Sequence, residues 1–252
     1  MAEPLLCVEH VRKRFGGLLA IDDVSLAVMP GRITALIGPN GAGKTTLFSI
    51  ISGFQRPEQG RVRHRGDDIT GQQPFALAHR GIARTFQIVQ PFAGLTVHEN
   101  IAVGAHRSRR SRADALQAAA DVARAVGLSG QLDRPAASLT VAGRKRLEVA
   151  RALATEPELL LLDEVLAGLN PTEVDGMLPV IRALPGRGVT VVMIEHVMQA
   201  VMSLADDVFV LAEGRIVAQG APREIVGNPK VIESYLGHGA AARLAGGGGA
   251  RG

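Results

Sequence analysis

The chain has 252 residues, 46% of them apolar, a single cysteine, and 28 basic against 24 acidic side chains for a formal net charge of +4. That length can bury a sizeable core as one large domain or two small ones, and no apolar run approaches the roughly 18 residues a membrane helix needs. Aromatic residues make up only 3% and tryptophan is absent, which argues against a base-stacking platform for nucleic acid.

Charged residues interrupt Met1 to Ala20 where the apolar core of a signal peptide would have to lie, so the chain reads as soluble and cytoplasmic. Leu5 to Phe15 and Val24 to Val28 alternate or are β-branched, with Gly16-Gly17 and Asp22-Asp23 as breaks, and predict antiparallel strands joined by turns. Within them Cys7 has no disulfide partner and reads as a small core residue. Arg32 to Ile37 is an apolar run of strand length, and Lys44 to Ser52 a helix closed by Gly53. Between them, Gly38-Pro39-Asn40-Gly41-Ala42-Gly43-Lys44-Thr45-Thr46 fits the phosphate-cradling loop pattern. Its glycines let consecutive N–H groups turn toward phosphates, Lys44 supplies a cation and Thr45 a hydroxyl for Mg²⁺. The helix that follows aims its positive end at the same anion. This order predicts that the chain binds a nucleoside triphosphate.

Gly60 to Arg65, punctuated by Gly66-Asp67-Asp68, predicts another hairpin. After Gly81 to Gln87 the texture changes, since Thr96 to Ala105 and Arg112 to Val126 are Ala-rich with helical spacing and predict a helical subdomain. The densest basic group, His106 to Arg112, lies in the polar connection between them. It reads as a solvated loop, with contact to lipid headgroups or a membrane-associated partner as the alternative. From Leu159 onward, aliphatic runs at Leu159 to Leu162, Val189 to Ile194 and Val208 to Leu211 each follow a helical pattern, which implies parallel strands buried on both faces. The run ending in Asp163-Glu164 offers a carboxylate for Mg²⁺ and a second one to polarise water. His196 follows at the end of the next strand, where an imidazole could donate to a γ-phosphate oxygen. Gly239 to Gly252 is almost entirely Ala, Gly and Arg and predicts a disordered tail.

At this point the sequence resembles the ATP-binding subunits of ABC transporters, over essentially all of residues 4 to 237. The resemblance implies an α/β P-loop fold: a mixed central sheet with an N-terminal antiparallel β subdomain and an α-helical subdomain inserted at about 88–150, in one domain spanning 1–238. It implies that Phe15 stacks on adenine, that Gln87 senses the γ-phosphate and contacts Mg²⁺, that Asp163 binds the metal, that Glu164 is the catalytic base and that His196 is the switch histidine. Two departures stand out. Where the family has Leu-Ser-Xaa-Gly-Gln before a helix, this chain has Leu139-Thr140-Val141-Ala142-Gly143, so Thr140 takes the serine position and Ala142 the glycine position. A methyl there costs strain if φ is positive, and Gly143 is expected to restore some freedom. After Glu164, Val165 to Asn170 replaces the more common Pro-Thr-Ser-Ala-Leu-Asp. Ala167-Gly-Leu-Asn-Pro171, Ala83-Arg-Thr-Phe-Gln87, Gly220 to Ile225 and Asn228 to Leu236 look like the subfamily serving importers of branched-chain and other hydrophobic amino acids.

That subfamily implies a head-to-tail pair with a second ATP-binding chain, the same or related. It also implies two membrane permease subunits, an indirect periplasmic solute-binding protein, a place on the cytoplasmic face of the inner membrane, and no nucleic acid. Two readings compete: a non-transport ABC ATPase acting on nucleic acid or ribosomes, and a nucleotide-binding regulatory module without useful hydrolysis.

Overall fold

Strand-forming and strand-breaking residues alternate at the front of the chain, and the backbone follows them. In this computed structural model, which describes residues 3–87, 90–229, 231 and 233, β1 (Leu6–Phe15) and β2 (Leu18–Val28) form a long antiparallel hairpin. Asp22-Asp23 does not break the strand, contrary to the sequence expectation. Asp23 takes a left-handed φ of 58° and the pairing shifts register around it, so the two acids are absorbed as an irregularity inside β2. Their charges have partners nearby: Asp23 pairs with His10, and Asp22 with Arg12 and Arg215. Cys7 is half-buried on β1, less enclosed than a core residue.

β3 (Ile33–Ile37) leads into α1 (Lys44–Ile51), and β4 (Gln59–His64) then pairs with β1 and with the short β5 (Asp67–Asp68), giving a sheet ordered β2-β1-β4-β5. The chain continues through α2 (Pro74–His79), β6 (Ile82–Arg84), α3 (Val97–Ala105), α4 (Arg112–Ala125) and α5 (Val141–Leu153). Then come β7 (Leu159–Asp163), α6 (Pro171–Arg182), β8 (Thr190–Ile194), α7 (Met198–Leu204), β9 (Asp207–Ala212), β10 (Arg215–Gly220) and α8 (Pro222–Val226). The second sheet is ordered β10-β9-β3-β8-β7-β6, parallel throughout except for β10 at its edge. β3, β7 and β8 are buried along their whole length, which explains why they read as unbroken aliphatic runs. In register, Asp163 on β7 lies opposite Ile194 on β8. The residues that follow each strand therefore emerge side by side.

Short polar side chains start α3, α4, α5 and α6. Thr96 and Glu99 form a capping box on α3, Asn170 and Glu173 another on α6, and Ser111 caps α4. α4 buries Ala115, Ala119 and Ala123, a stripe at i, i+4 spacing that packs against α3. The basic stretch between α3 and α4 is a mostly exposed connection, as expected, with some of its arginines tethered. Arg107 donates through Nε to Thr155 O at 2.7 Å, Arg109 pairs with Glu156 and Arg112 with Glu99. Among the described residues no helix is long and apolar enough to cross a membrane. The Ala/Gly/Arg tail and Ser234 to Leu236 lie outside the described residues.

Leu160, fully enclosed in the middle of β7, tests this core: Leu160→Ala should lower the free energy of unfolding by about 2–5 kcal/mol in a urea titration.

Candidate functional site

The phosphate loop turns where β3 ends. Gly38 adopts a φ of 149°, and a Cβ there would lie 1.9 Å from the carbonyl oxygen of Leu211, so the close approach of β9 admits only glycine. The Lys44 ammonium folds back over the loop and donates to Gly38 O at 2.7 Å and Pro39 O at 2.9 Å. Burial pushes its pKa down, while the carboxylates of Glu164 and Asp163 oppose that shift. α1 begins after Gly43 with no side-chain cap, which leaves its first N–H groups available to an anion.

A cavity of about 470 Å³ opens over this turn, lined by Asn40 to Thr46, by Phe15 and by Glu164. Glu213 and Gly214, in the turn between β9 and β10, close one side, and Gly214 bonds through its N–H to Ala42 O and through its carbonyl to Asp22 N. Sequence reasoning passed over this turn because nothing in its composition marks it. Phe15 is 43% exposed at the cavity wall with the Lys13 ammonium 5.3 Å from its ring centre.

At the far wall Glu164 sits just past β7 with a left-handed φ of 50°, its N–H bonded to Ile194 O. That turn directs its carboxylate back over the sheet edge. One oxygen accepts from His196 Nε2 at 2.8 Å and the other from Gln87 Nε2 at 2.7 Å. The structure thus brings Gln87, Glu164 and His196 together from β6, β7 and β8. Asp163 is more enclosed, with 3% of its side chain exposed, and Oδ2 accepts from Arg84 Nη2 at 2.7 Å. Lys145 on α5 donates to Glu164 O at 2.9 Å and Gln87 O at 3.3 Å. Arg84 was missed in the sequence, and Lys145, expected with Arg144 to add positive charge at the start of α5, instead turns inward to these carbonyls. Arg84 interrupts the apolar texture of β6, and that was the available signal.

Thr140, Ala142 and Gly143 do not line this cavity. They form the start of α5, where Thr140 Oγ1 accepts from Gly143 N at 3.2 Å as the cap. Ala142 is helical and is not among the positive-φ residues, so its methyl carries no backbone strain.

Thr45, Gln87 and Asp163 offer hydroxyl, amide and carboxylate oxygens, the hard donors that suit Mg²⁺. A carboxylate as enclosed as Asp163 beside Lys44 and Arg84 also fits a site built to balance added positive and negative charge.

A phosphate cradle after one parallel strand, with carboxylates issuing from the strands beside it, makes this a P-loop nucleotide-hydrolysing fold. Comparison with known proteins narrows it. The ABC transporter family model matches residues 21–167, and the model for the branched-chain amino acid ATP-binding cassette transporter matches residues 215–241. The high-affinity branched-chain amino acid transport ATP-binding proteins LivG of Escherichia coli (strain K12) and BraF of Pseudomonas aeruginosa are each 40% identical, over 94% of this chain and 99% of their own. A probable LivG of Archaeoglobus fulgidus is 36% identical over 92% of this chain and 95% of its own. A crystal structure of a nucleotide-free ATP-binding cassette from an ABC transporter superposes with a TM-score of 0.85 at 33% identity, covering 93% of this chain and all of the other. The chain belongs to the ABC transporter family, as an ATP-hydrolysing cassette.

Glu195, next to His196, is 1% exposed and accepts from Leu166 N at 3.0 Å. Burial, aided by the charge of Glu164, pushes its pKa up from 4.5 to about 7. The folded protein therefore keeps a proton that the unfolded chain loses between about pH 4.5 and 7, so stability is lost as pH rises through that window, by about 3 kcal/mol in all. Glu195→Gln should remove this contribution, seen as a smaller drop in urea-unfolding free energy between pH 5 and pH 8 than in the unmodified protein.

Proposed function

We propose that this chain powers import of branched-chain or other hydrophobic amino acids from the cytoplasmic face of the inner membrane, bound there peripherally through two permease subunits and supplied by a periplasmic solute-binding protein. The support is the match of residues 215–241 and the names of the relatives, all branched-chain amino acid transport proteins. Two such chains, identical or related, would pair head to tail, each ATP lying between the phosphate loop of one and the start of α5 in the other.

In this reading Phe15 stacks on adenine, and the N–H groups of Gly38 to Thr46 with Lys44 hold the phosphates. Thr45, Gln87 and Asp163 hold Mg²⁺, which when bound neutralises charge on the β- and γ-phosphates. Glu164 polarises water for in-line attack, and His196 steadies charge on the transferring group. The observation that carries the assignment is the convergence of Gln87 and His196 on the two oxygens of Glu164. Those bonds fix the carboxylate's aim yet leave each oxygen a lone pair for a water.

A second cavity, of about 620 Å³, lies between α2, β6, α3 and α5, with Phe54, Phe75 and Phe86 among its lining residues. Phe75 is 71% exposed and Phe54 50%, an apolar patch of the kind a partner covers. It is the place for a short permease helix, and the helices over 88–150 form the lever that moves with it.

Glu164→Gln should reduce turnover by roughly 100-fold or more, with ATP affinity kept within a few-fold; near-normal phosphate release would remove Glu164 as the base. Ala142→Gly should leave the ATPase rate unchanged or lower, because the position is helical and glycine weakens a helix. A large rise would mean that the natural signature is impaired.

A further inference from the structure

Arg84, the last residue of β6, is an enclosed charge to which the assignments above give no part. Only 7% of its side chain is exposed. A buried guanidinium is costly unless its hydrogen bonds are met; here Nη1 and Nη2 are met, while Nε is enclosed without a partner among the described residues. Nη2 donates to Asp163 Oδ2 at 2.7 Å, and Nη1 donates to Ser49 Oγ and Ser52 Oγ, each at 3.1 Å. Ser49 lies on α1 and its hydroxyl also donates to Thr45 O at 2.8 Å. One planar group thus spans the helix that begins at Lys44-Thr45 and the strand that ends at Asp163. On its other side Phe48, Phe54 and Phe86 stand with ring centres 5.8, 5.9 and 5.4 Å from the guanidinium carbon. Phe54 and Phe86 meet edge to face at 5.5 Å, and both line the aromatic groove.

We propose that Arg84 is the positioning residue of the metal site: it clamps one oxygen of Asp163 against α1, fixes the separation of Asp163 from Thr45, and through Phe86 ties that separation to the wall of the groove. Charge balance alone would be met by a lysine. Here Nη2 serves the carboxylate and Nη1 the two hydroxyls, two nitrogens held apart in one plane, which the single nitrogen of a lysine does not reproduce. The proposal rests on the assignment of Asp163 and Thr45 to Mg²⁺, and it adds that their spacing is set from outside the donor set.

The test uses the full chain and a fluorescent ATP analogue, with equilibrium affinity measured in EDTA and across a Mg²⁺ titration, beside steady-state kinetics. The variants are Arg84→Lys and the pair Ser49→Ala/Ser52→Ala, which loosens the clamp without touching Asp163 and decides the matter if Arg84→Lys does not fold. In both, affinity in EDTA should stay within a few-fold of the unmodified protein. The Mg²⁺ concentration giving half of the affinity gain should rise roughly tenfold in Arg84→Lys and less in the serine pair, as when an outer partner of a metal ligand is lost. kcat should fall while KM for nucleotide holds. An unshifted Mg²⁺ titration in either folded variant, or equal losses with and without Mg²⁺, overturns the clamp. Asp163→Asn separates the two ideas: if it keeps the Mg²⁺-dependent gain, the metal assignment itself fails, and if it loses the gain while Arg84→Lys keeps it, only the clamp fails. Phe86→Ala should shift the titration in the same direction in the unmodified chain and add nothing in Arg84→Lys, whereas additive shifts would detach the groove from the clamp.

Discussion

The register between β7 and β8 is the constraint on which the cavity wall depends. Both strands are buried on both faces, so their backbone groups must pair with neighbouring strands and their side chains must be apolar until the strands end. Polar chemistry can appear only at that end. The register places Asp163 opposite Ile194, and the bond from Glu164 N to Ile194 O carries the pairing one residue further. A slip of one residue would turn Asp163 to the other face of the sheet and part Glu164 from His196.

Charge is packed just as tightly. Asp163, Glu195 and Lys145 are nearly inaccessible, and Glu164 is only 15% exposed. Lys44 and Lys145 have their pKa values pushed down by burial while surrounding carboxylates push them up. Each cation is therefore held to backbone carbonyls: Lys44 to Gly38 and Pro39, Lys145 to Gln87 and Glu164. Neutral oxygens satisfy the ammonium groups, which leaves the carboxylates of Glu164 for Gln87 and His196.

Much of this was legible in the sequence because the relevant rules are local. A glycine-rich turn between an apolar run and a helix, and acids at the end of four leucines, describe the cradle and its wall without any long-range knowledge. The antiparallel front sheet and the parallel run of β7, β8 and β9 followed from period and composition. Asp22-Asp23 misled for a physical reason: Arg12 and Arg215 lie within reach of the enclosed Asp22, and the exposed Asp23 takes up its left-handed turn as a register shift inside the strand. The places of Arg84 and Lys145 were hidden because their partners are 32 to 79 and 19 to 58 residues away, and burial of a basic side chain cannot be inferred from its neighbours in sequence.

The start of α5 shows how a helix cap meets its packing demands. Thr140 retains the capping oxygen, and the N–H it receives comes from Gly143. A Cβ at Gly143 would stand 3.2 Å from Leu139 Cβ and 3.3 Å from Leu139 Cδ2, tighter than side chains comfortably pack. The demand for a small residue therefore falls at 143, where the cap folds the first turn of α5 back on Leu139, and position 142, in ordinary helical conformation, can carry a methyl. Glycine stands at 143, where this helix start is crowded.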